Sequence, residues 1–168
     1  MLFDEFNQLD HDAAVEQLIG CCHCKAWAEA VAALRPMASV DELIACADNV
    51  WHGLDEKQVL EALSGHARIG DIALLRSRYA GKATREQGQV LNADDSVLQE
   101  LYDLNVEYEQ RHGFIFIVCA TGKSAEEMLA LLKARINNTR EIELLNAALQ
   151  QAEITRLRLQ QLFENQEV

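Results

Sequence analysis

Apolar residues recur along most of this chain at the three- and four-residue spacing of helices that bury one face. The first such face carries Val15 and Leu18, with Asp10 in a capping position and Gly20 at its end. A second helix is predicted to end near Pro36, because proline cannot continue a helix. The repetition of this pattern predicts an all-α fold, a single multi-helix bundle.

Polar residues suited to capping mark the starts of four later helices. These residues are Asp55, Thr139 and the first members of two capping-box pairs, Ser39 with Glu42 and Ser124 with Glu127. The helix that begins at Thr139 is predicted to reach roughly Phe163, and a long helix before it should end at Gly113.

Two segments depart from the helical pattern. The stretch from Ser64 to Asn92 contains four of the eight glycines, so we expect irregular backbone there. The run from Phe114 to Cys119 has strand propensity. It has no second strand to pair with, and is therefore predicted to be a buried extended segment. Irregular segments on a rigid scaffold are where binding and catalytic groups concentrate.

Length and charge restrict the function classes. The 168 residues fit one domain, 1–168. A net charge of −12 predicts a surface that repels nucleic acid and anionic membranes. A small anionic ligand would bind only where arginine or lysine makes a local positive pocket.

The sequence contains no recognisable targeting signal, which favours a cytoplasmic location. The acidic start of the chain lacks a secretory signal, and a Ser-Lys-Leu address is absent from its end. The longest strongly apolar run, Phe114 to Ala120, is too short to span a bilayer. Five cysteines, three of them crowded between Cys21 and Cys24, do not form a secreted disulfide pattern. We therefore expect a reduced, cytoplasmic protein.

Two short motifs suggest chemistry that their surroundings do not support. Gly122-Lys123-Ser124 resembles the end of a phosphate-binding loop, but Ile117 stands where that loop needs glycine. A capped helix start is the better interpretation. The cluster Cys21-Cys22-His23-Cys24 suggests zinc, but no second close pair of ligands accompanies it. No metal is expected.

The segment Gly65-His66-Ala67-Arg68-Ile69-Gly70-Asp71 places a titratable histidine beside an arginine between glycines. About twenty residues later, Arg85-Glu86-Gln87 adds a carboxylate and an amide. Taken alone, this spacing is weak evidence, since most histidines and glutamates are not catalytic. The other histidines have no partner pattern and are expected at the surface or in structural roles: His11, His23, His52 and His112.

Together these segments resemble the OHCU decarboxylase family, whose substrate is 2-oxo-4-hydroxy-4-carboxy-5-ureidoimidazoline. The family's His-Pro-Arg-Ile-Gly-Asp motif matches His66 to Asp71, and its Ser-x-x-Glu-Gln motif matches in Glu86-Gln87. The resemblance covers nearly the whole chain. Its further matches are Phe6-Asn7, Trp27, Arg35-Pro36, Asn105, Tyr108, Gly113-Phe114, Phe116 to Ala120, Arg135 to Asn138, Glu143, Ala147, Ile154 and Arg158.

Two positions depart from the family pattern. Ala67 replaces the motif proline, and Ala83 replaces the motif serine. The first change loosens the loop after the histidine, and the second removes a hydroxyl from the pocket. Substrate contacts at these two positions are therefore in question, whereas the roles of His66 and Glu86 are not.

The resemblance implies a cofactor-free carboxy-lyase of urate breakdown that converts OHCU to (S)-allantoin. It implies a homodimer whose partner is a small-molecule substrate, with no cofactor and no metal. The implied catalytic residues are His66 and Glu86. The implied substrate-binding residues are Ala67, Ala83, Thr84, Arg85, Gln87, Phe116, Ile117, Val118, Cys119, Ala120 and Arg158.

A mechanism follows from the chemistry of these side chains. His66, with an ordinary pKa of about 6.5, can carry the proton that the carbanion takes up after carbon dioxide leaves. Glu86 would orient the imidazole and favour its protonated form. Arg158 lies one helical turn after Ile154 and shares its face, and an arginine on an otherwise buried face needs an anionic partner. Arg158 would therefore bind the substrate or Glu86, and a purely structural ion pair with Glu86 or Asp71 is the alternative.

Two other functions fit the composition. The first is a non-enzymatic helical interaction module, which gives no reason for the glycine-flanked His66 segment. The second is a different cofactor-free lyase or hydrolase, which the changes at Ala67 and Ala83 leave open.

Overall fold

A computed structural model describes residues 1–66 and 95–164 of the chain. Eight helices lie within these residues and no strand does, which confirms the predicted all-α fold for the described part of the chain. The helices are α1 (Phe3–Gln8), α2 (His11–Ile19), α3 (Lys25–Ala33), α4 (Val40–His52), α5 (Glu56–Ser64), α6 (Asp95–His112), α7 (Ala125–Arg135) and α8 (Arg140–Leu162). None of them is long and apolar enough to cross a membrane.

The chain divides into two compact units. The first contains Met1–His66 and Ala148–Val168, and the second contains Ala67–Ala147. Helix α8 is continuous and contributes residues to both.

The core of the first unit is built on large aromatic side chains. Within it α2 packs against α3, and α3 packs against α4. Trp27 is fully buried and its indole N–H donates to the carbonyl of Ala47 at 3.0 Å. The Phe163 ring meets those of Phe3 and Phe6 edge to face, at centroid distances of 5.3 and 5.5 Å. The ring contacts join α1 to the end of α8.

Several family-motif residues near the N-terminus have structural roles. The Asn7 side chain donates to the carbonyl of Met37 at 3.0 Å and accepts from its N–H at 3.1 Å. The Arg35 guanidinium donates to the carbonyls of Phe6 and Leu9 at 2.6 and 2.8 Å. The Arg35 bonds satisfy carbonyls at the end of α1, and the Asn7 bonds join that end to Met37, so these motif residues have structural roles.

The predicted helix caps are largely confirmed. Asp10 accepts from the N–H of Ala13 at 2.8 Å, and Thr139 from that of Ile142 at 3.2 Å. Asp55 forms a complete capping box with Gln58. The cap bonds of the other two helices are present, at Ser39 and Ser124.

The capping boxes predicted for Ser39 and Ser124 are incomplete. The Glu42 carboxylate accepts from the N–H of Ala38 at 2.5 Å instead of from that of Ser39. Glu127 accepts from the hydroxyl of Ser124 at 3.3 Å. Both carboxylates therefore stay near the helix N-terminus, where negative charge is favourable, without closing the box.

The second unit contains α6, the segment after it, α7 and the first part of α8. Within it α6 packs against α7. Helix α6 ends at His112, and Gly113 follows with φ of 81°, a conformation that favours glycine. Residues 115–120 are neither helix nor strand, as predicted, and Ile117 and Cys119 are buried.

Candidate functional site

The imidazole of His66 lies directly after α5 and is held by a residue of α8. Its Nε2 is 2.5 Å from Oε1 of Gln151, a residue with no solvent-exposed surface. The Gln151 amide donates in turn to Oγ1 of Thr155, one helical turn later, at 3.0 Å. The predicted catalytic histidine is thus partly buried and fixed at one ring nitrogen.

The backbone that carries His66 is also tightly placed. The N–H of His66 donates to the carbonyl of Leu63 at 3.2 Å. A Cβ added at Gly65 would lie 2.3 Å from Cβ of His23, in the loop between α2 and α3. Glycine is required at position 65 by this close approach, because a larger residue would collide with His23.

The pKa of His66 is shifted downwards. Burial lowers the pKa, the hydrogen bond with Gln151 raises it, and the positive charge of Arg158 lowers it further. The net direction is opposite to the one expected from a carboxylate beside the ring. Glu86, the predicted carboxylate, lies outside the described residues.

Arg158 is close enough to His66 to affect its ionisation, although the two residues are far apart in the sequence. The guanidinium donates to the carbonyl of Cys21 at 3.4 Å. The sequence placed Arg158 on a buried helix face with Ile154, and that premise is wrong, because Arg158 is exposed and Ile154 is only partly buried. An exposed guanidinium needs no protein carboxylate, because water solvates it.

The cysteine cluster packs beside this site. Cys21, Cys22 and Cys24 are all buried and free. Burial raises the pKa of Cys21 to about 11 and that of Cys22 to about 12, although hydrogen bonding by Thr155 and the charge of Arg158 oppose the rise at Cys22. Within residues 1–66 and 95–164, no group of three potential ligands is arranged to hold a metal ion.

The other described candidates, Phe116, Ile117, Val118, Cys119 and Ala120, lie in the second unit after Gly113. Their backbone is held by Arg135, which donates to the carbonyl of Ile117 at 2.9 Å. The Arg135 guanidinium also lies over the Phe116 ring, 4.6 Å from its centroid. The extended segment is therefore positioned by side chains instead of by a sheet.

A buried carboxylate holds Arg135 in place. Glu143 has no exposed surface, and its Oε1 accepts from Nε of Arg135 at 2.8 Å and from the hydroxyl of Tyr108 at 2.7 Å. Its Oε2 accepts from the amides of Asn138 and Asn146 at 2.9 and 2.8 Å. The carboxylate thus joins α6, α7 and α8 to the extended segment.

The ionised form of Glu143 is favoured despite its burial. Burial alone would raise the pKa of this carboxyl, but hydrogen bonds from Asn138, Tyr108 and Asn146 and the charge of Arg135 outweigh it, so the pKa is lowered. The pKa of Tyr108 is raised far above its ordinary value, and burial is the largest cause, with the hydrogen bond to Glu143 the next. Tyr108 is therefore a neutral donor, and the Arg135–Glu143 pair is charged.

The residues of the partial phosphate-loop motif have local structural roles. The Lys123 ammonium donates to the carbonyl of Cys119 at 2.8 Å, and Ser124 caps α7. The interpretation of this motif as a capped helix start is confirmed.

The remaining predicted site residues lie outside the described part of the chain. They are Ala67, Ala83, Thr84, Arg85, Glu86 and Gln87. The expected meeting of His66 with Glu86 accordingly stays a prediction.

A groove of 420 Å³ lies between α4 and α8 of the first unit. Its walls include Trp51 and Leu149, and Asp41, Asp48 and Arg156 add charge. None of the predicted site residues that the structure describes lines it, but Thr155, which hydrogen-bonds Gln151, does. The groove therefore reaches the chain of hydrogen bonds that holds His66, without being lined by His66 itself.

Sequence reasoning missed Gln151 and Thr155. Both lie on the face of α8 that also carries Arg158, since positions four and seven residues after Gln151 fall on the same side of a helix. A polar i, i+4, i+7 stripe leading to a motif arginine was the available signal.

Comparisons with known proteins agree on one family. The family model for OHCU decarboxylase matches residues 7–160. The uric acid degradation bifunctional protein TTL of Arabidopsis thaliana is 34% identical over 148 residues, which cover 86% of this chain and 46% of that protein. The 2-oxo-4-hydroxy-4-carboxy-5-ureidoimidazoline decarboxylase of Haloferax volcanii is 23% identical over 167 residues, 99% of this chain and 98% of that protein.

A solved structure has the same fold. The crystal structure of an OHCU decarboxylase in the presence of (S)-allantoin aligns with a TM-score of 0.74 and 32% identity, covering 89% of this chain and 99% of that one. By contrast, the chain spans less than half the length of the bifunctional relatives that it matches, 46% in Arabidopsis thaliana and 31% in Bacillus subtilis.

Proposed function

The chain belongs to the OHCU decarboxylase family, and on that basis we propose that it decarboxylates OHCU to (S)-allantoin in urate degradation. The observation that carries the proposal is the match of the family model to residues 7–160, which includes the His66 segment. The partly buried, hydrogen-bonded imidazole of His66 beside the Arg158 guanidinium supports it.

The reaction needs no cofactor, because the substrate supplies its own electron sink. When the bond to the carboxylate breaks, carbon dioxide leaves and the electron pair enters the conjugated C=N and C=O groups of the imidazoline ring. The protein then has to hold the carboxylate out of the ring plane. It also has to deliver one proton to one face of the carbanion, which fixes the handedness of allantoin.

His66 is the proposed proton donor and Glu86 the carboxylate that favours its protonated form. A lowered pKa makes the His66 imidazolium a stronger acid, though less abundant at neutral pH. A carboxylate beside the ring would restore its abundance. General acid catalysis of this kind contributes roughly 10²–10⁴-fold to the rate.

The other substrate contacts are proposed from the family resemblance. The Gln87 amide suits the ureido group, and the Arg158 guanidinium suits the carboxylate. The remaining proposed contacts are Ala67, Ala83, Thr84, Arg85, Phe116, Ile117, Val118, Cys119 and Ala120.

We further propose that residues 1–168 form one OHCU decarboxylase-like domain, since the family match runs through both compact units. The chain is proposed to act in the cytoplasm as a homodimer. Three exposed apolar residues of α8, Ile142, Leu145 and Leu149, are spaced so as to share one helix face, which suits contact with a second copy.

The test generates OHCU in situ from urate with urate oxidase and the hydrolase, and follows allantoin by circular dichroism. The wild-type chain should produce (S)-allantoin quickly. His66→Ala and Glu86→Gln should fold normally and lose most of that rate. The slow racemic course in the presence of wild-type protein would refute the proposed activity, and full activity of His66→Ala would remove His66 from the chemistry.

A further inference from the structure

We propose that Gln151 is a positioning residue that keeps a proton on Nε2 of His66, so that Nδ1 is the nitrogen that delivers the proton to the substrate. The proposal rests on the proposed function, because it assigns an atom to the proposed proton donor. It adds a second residue of α8, besides Arg158, to the proposed site.

The geometry selects the ring nitrogen. Oε1 of Gln151 lies 2.5 Å from Nε2 of His66, and a carbonyl oxygen can only accept a hydrogen bond, so Nε2 must carry hydrogen. That hydrogen is present both in the neutral imidazole protonated at Nε2 and in the imidazolium. The ring can therefore gain and lose its second proton at Nδ1 without breaking the bond to Gln151.

The orientation of the Gln151 amide is set by Thr155. The Gln151 NH₂ group donates to Oγ1 of Thr155 at 3.0 Å, which leaves the carbonyl oxygen facing His66. Thr155 is itself 7% exposed, and its hydrogen bond with Cys22 lowers the pKa of that thiol, as a hydroxyl that donates to the sulfur does. Because its hydrogen is directed at Cys22, Oγ1 of Thr155 is an acceptor, so it pairs with the Gln151 NH₂ group and leaves the carbonyl oxygen for His66.

At position 151 a neutral acceptor suits the proposed proton donor, because Glu86 is already the proposed carboxylate of the site. A second carboxylate at position 151 would stabilise the imidazolium further and retain the proton, whereas glutamine orients the ring without adding charge. Among the described residues, the charged group that acts on the ionisation of the ring is the Arg158 guanidinium. Arg158 and burial oppose protonation of the ring, and the hydrogen bond with Gln151, which has a larger effect than Arg158, favours it.

The proton step balances. Carbon dioxide leaves with the carboxylate carbon, the electron pair remains in the ring system, and the Nδ1 proton of the His66 imidazolium moves to the carbanion. His66 is left neutral with hydrogen on Nε2, still donating to Gln151. A proton from solvent then restores the imidazolium at Nδ1.

The test compares Gln151→Met, which removes the acceptor at similar size, with Gln151→Glu, which keeps it and adds charge. NMR titration of the His66 ring, assigned by its absence in His66→Ala, should order its pKa as Met below Gln below Glu. The pH at which kcat/KM falls as the solution becomes more alkaline, called the pH limb below, should move in the same order. For Gln151→Met, kcat should fall about tenfold or more with little change in KM, within the roughly 10²–10⁴-fold that a general acid contributes.

Matched variants separate positioning from folding. Gln160→Met makes the same replacement at an exposed position of α8 and should leave all three measurements unchanged. Thr155→Val should reproduce part of the Gln151→Met effect, because it removes the hydroxyl. Thr155→Ser retains the hydroxyl and should behave like the wild type.

The proposal would be overturned if Gln151→Met kept the wild-type kcat and pH limb, or if the pKa of His66 did not follow that order. The titration needs no substrate, so it tests the hydrogen bond even if the wild-type chain fails to decarboxylate OHCU. A wild-type failure would refute the proposed function, whereas an altered order would refute the role of Gln151.

Discussion

Replacing Glu143 by glutamine tests whether the buried ion pair organises the second unit. The carboxylate accepts four hydrogen bonds, two at each oxygen. Glutamine has a single acceptor oxygen, so its NH₂ group would face two donors, and the Arg135 cation would lose its buried counter-charge. Removing one partner of a buried pair costs about 3–5 kcal/mol, a large part of the roughly 5–15 kcal/mol that stabilises a typical domain.

The assay is urea unfolding at neutral pH, with two controls. Tyr108→Phe removes one hydrogen bond to the charged group, and should cost about 1.5–3 kcal/mol. Glu153→Gln makes the same chemical change at an exposed position of α8 and should stay within about 0.5 kcal/mol of wild type. A loss below about 1 kcal/mol for Glu143→Gln would refute the structural role of the pair.

The pH dependence gives a second check with a definite sign. Because the folded protein lowers the pKa of Glu143, its stabilisation is present above the unfolded value of about 4.3 and is lost as pH falls through the folded pKa. The stability difference between wild type and Glu143→Gln should therefore shrink in acid. A difference that stays constant across that range would show that the charge of Glu143 is not what stabilises the unit.

Three further outcomes are expected. In the native protein, the partly exposed Cys46 should react first with a thiol reagent, whereas Cys21 and Cys22 should react only on unfolding, because burial raises the pKa of both; rapid loss of all free thiols would contradict this. Leu145→Glu should convert the proposed homodimer to monomer by light scattering, and an unchanged mass would exclude this helix face from the interface. Asp55→Ala should cost about 1 kcal/mol in thermal or urea unfolding, since it removes the capping box of α5, and an unchanged midpoint would argue against that cap.

Local features of the sequence were sufficient to predict most helices. Asp10, Asp55 and Thr139 were identified as caps because a cap bond joins a side chain to a backbone N–H only a few residues away. Helix α1 was not predicted, because its six residues are too few for a periodic pattern, and Phe6 is held by the distant Phe163 and Arg35. Short helices depend on tertiary packing more than on propensity.

The family motifs identified positions without giving their roles. Glu143 and Arg135 were visible as matched residues, but only the folded chain places them 2.8 Å apart and joins Arg135 to the carbonyl of Ile117. Arg158 was interpreted as buried from its helix position, and the structure exposes it. Periodicity indicates which residues share a helix face, but not which other element covers that face.

The sequence by itself determined the helical class, the caps and the family, since these depend on short spacings and on motifs read along the chain. Tertiary structure alone decided that the imidazole of His66 meets Gln151, which lies 85 positions later. That contact depends on how α5 and α8 pack. Because packing is the sum of many weak contacts between distant residues, no local pattern in the sequence encodes it.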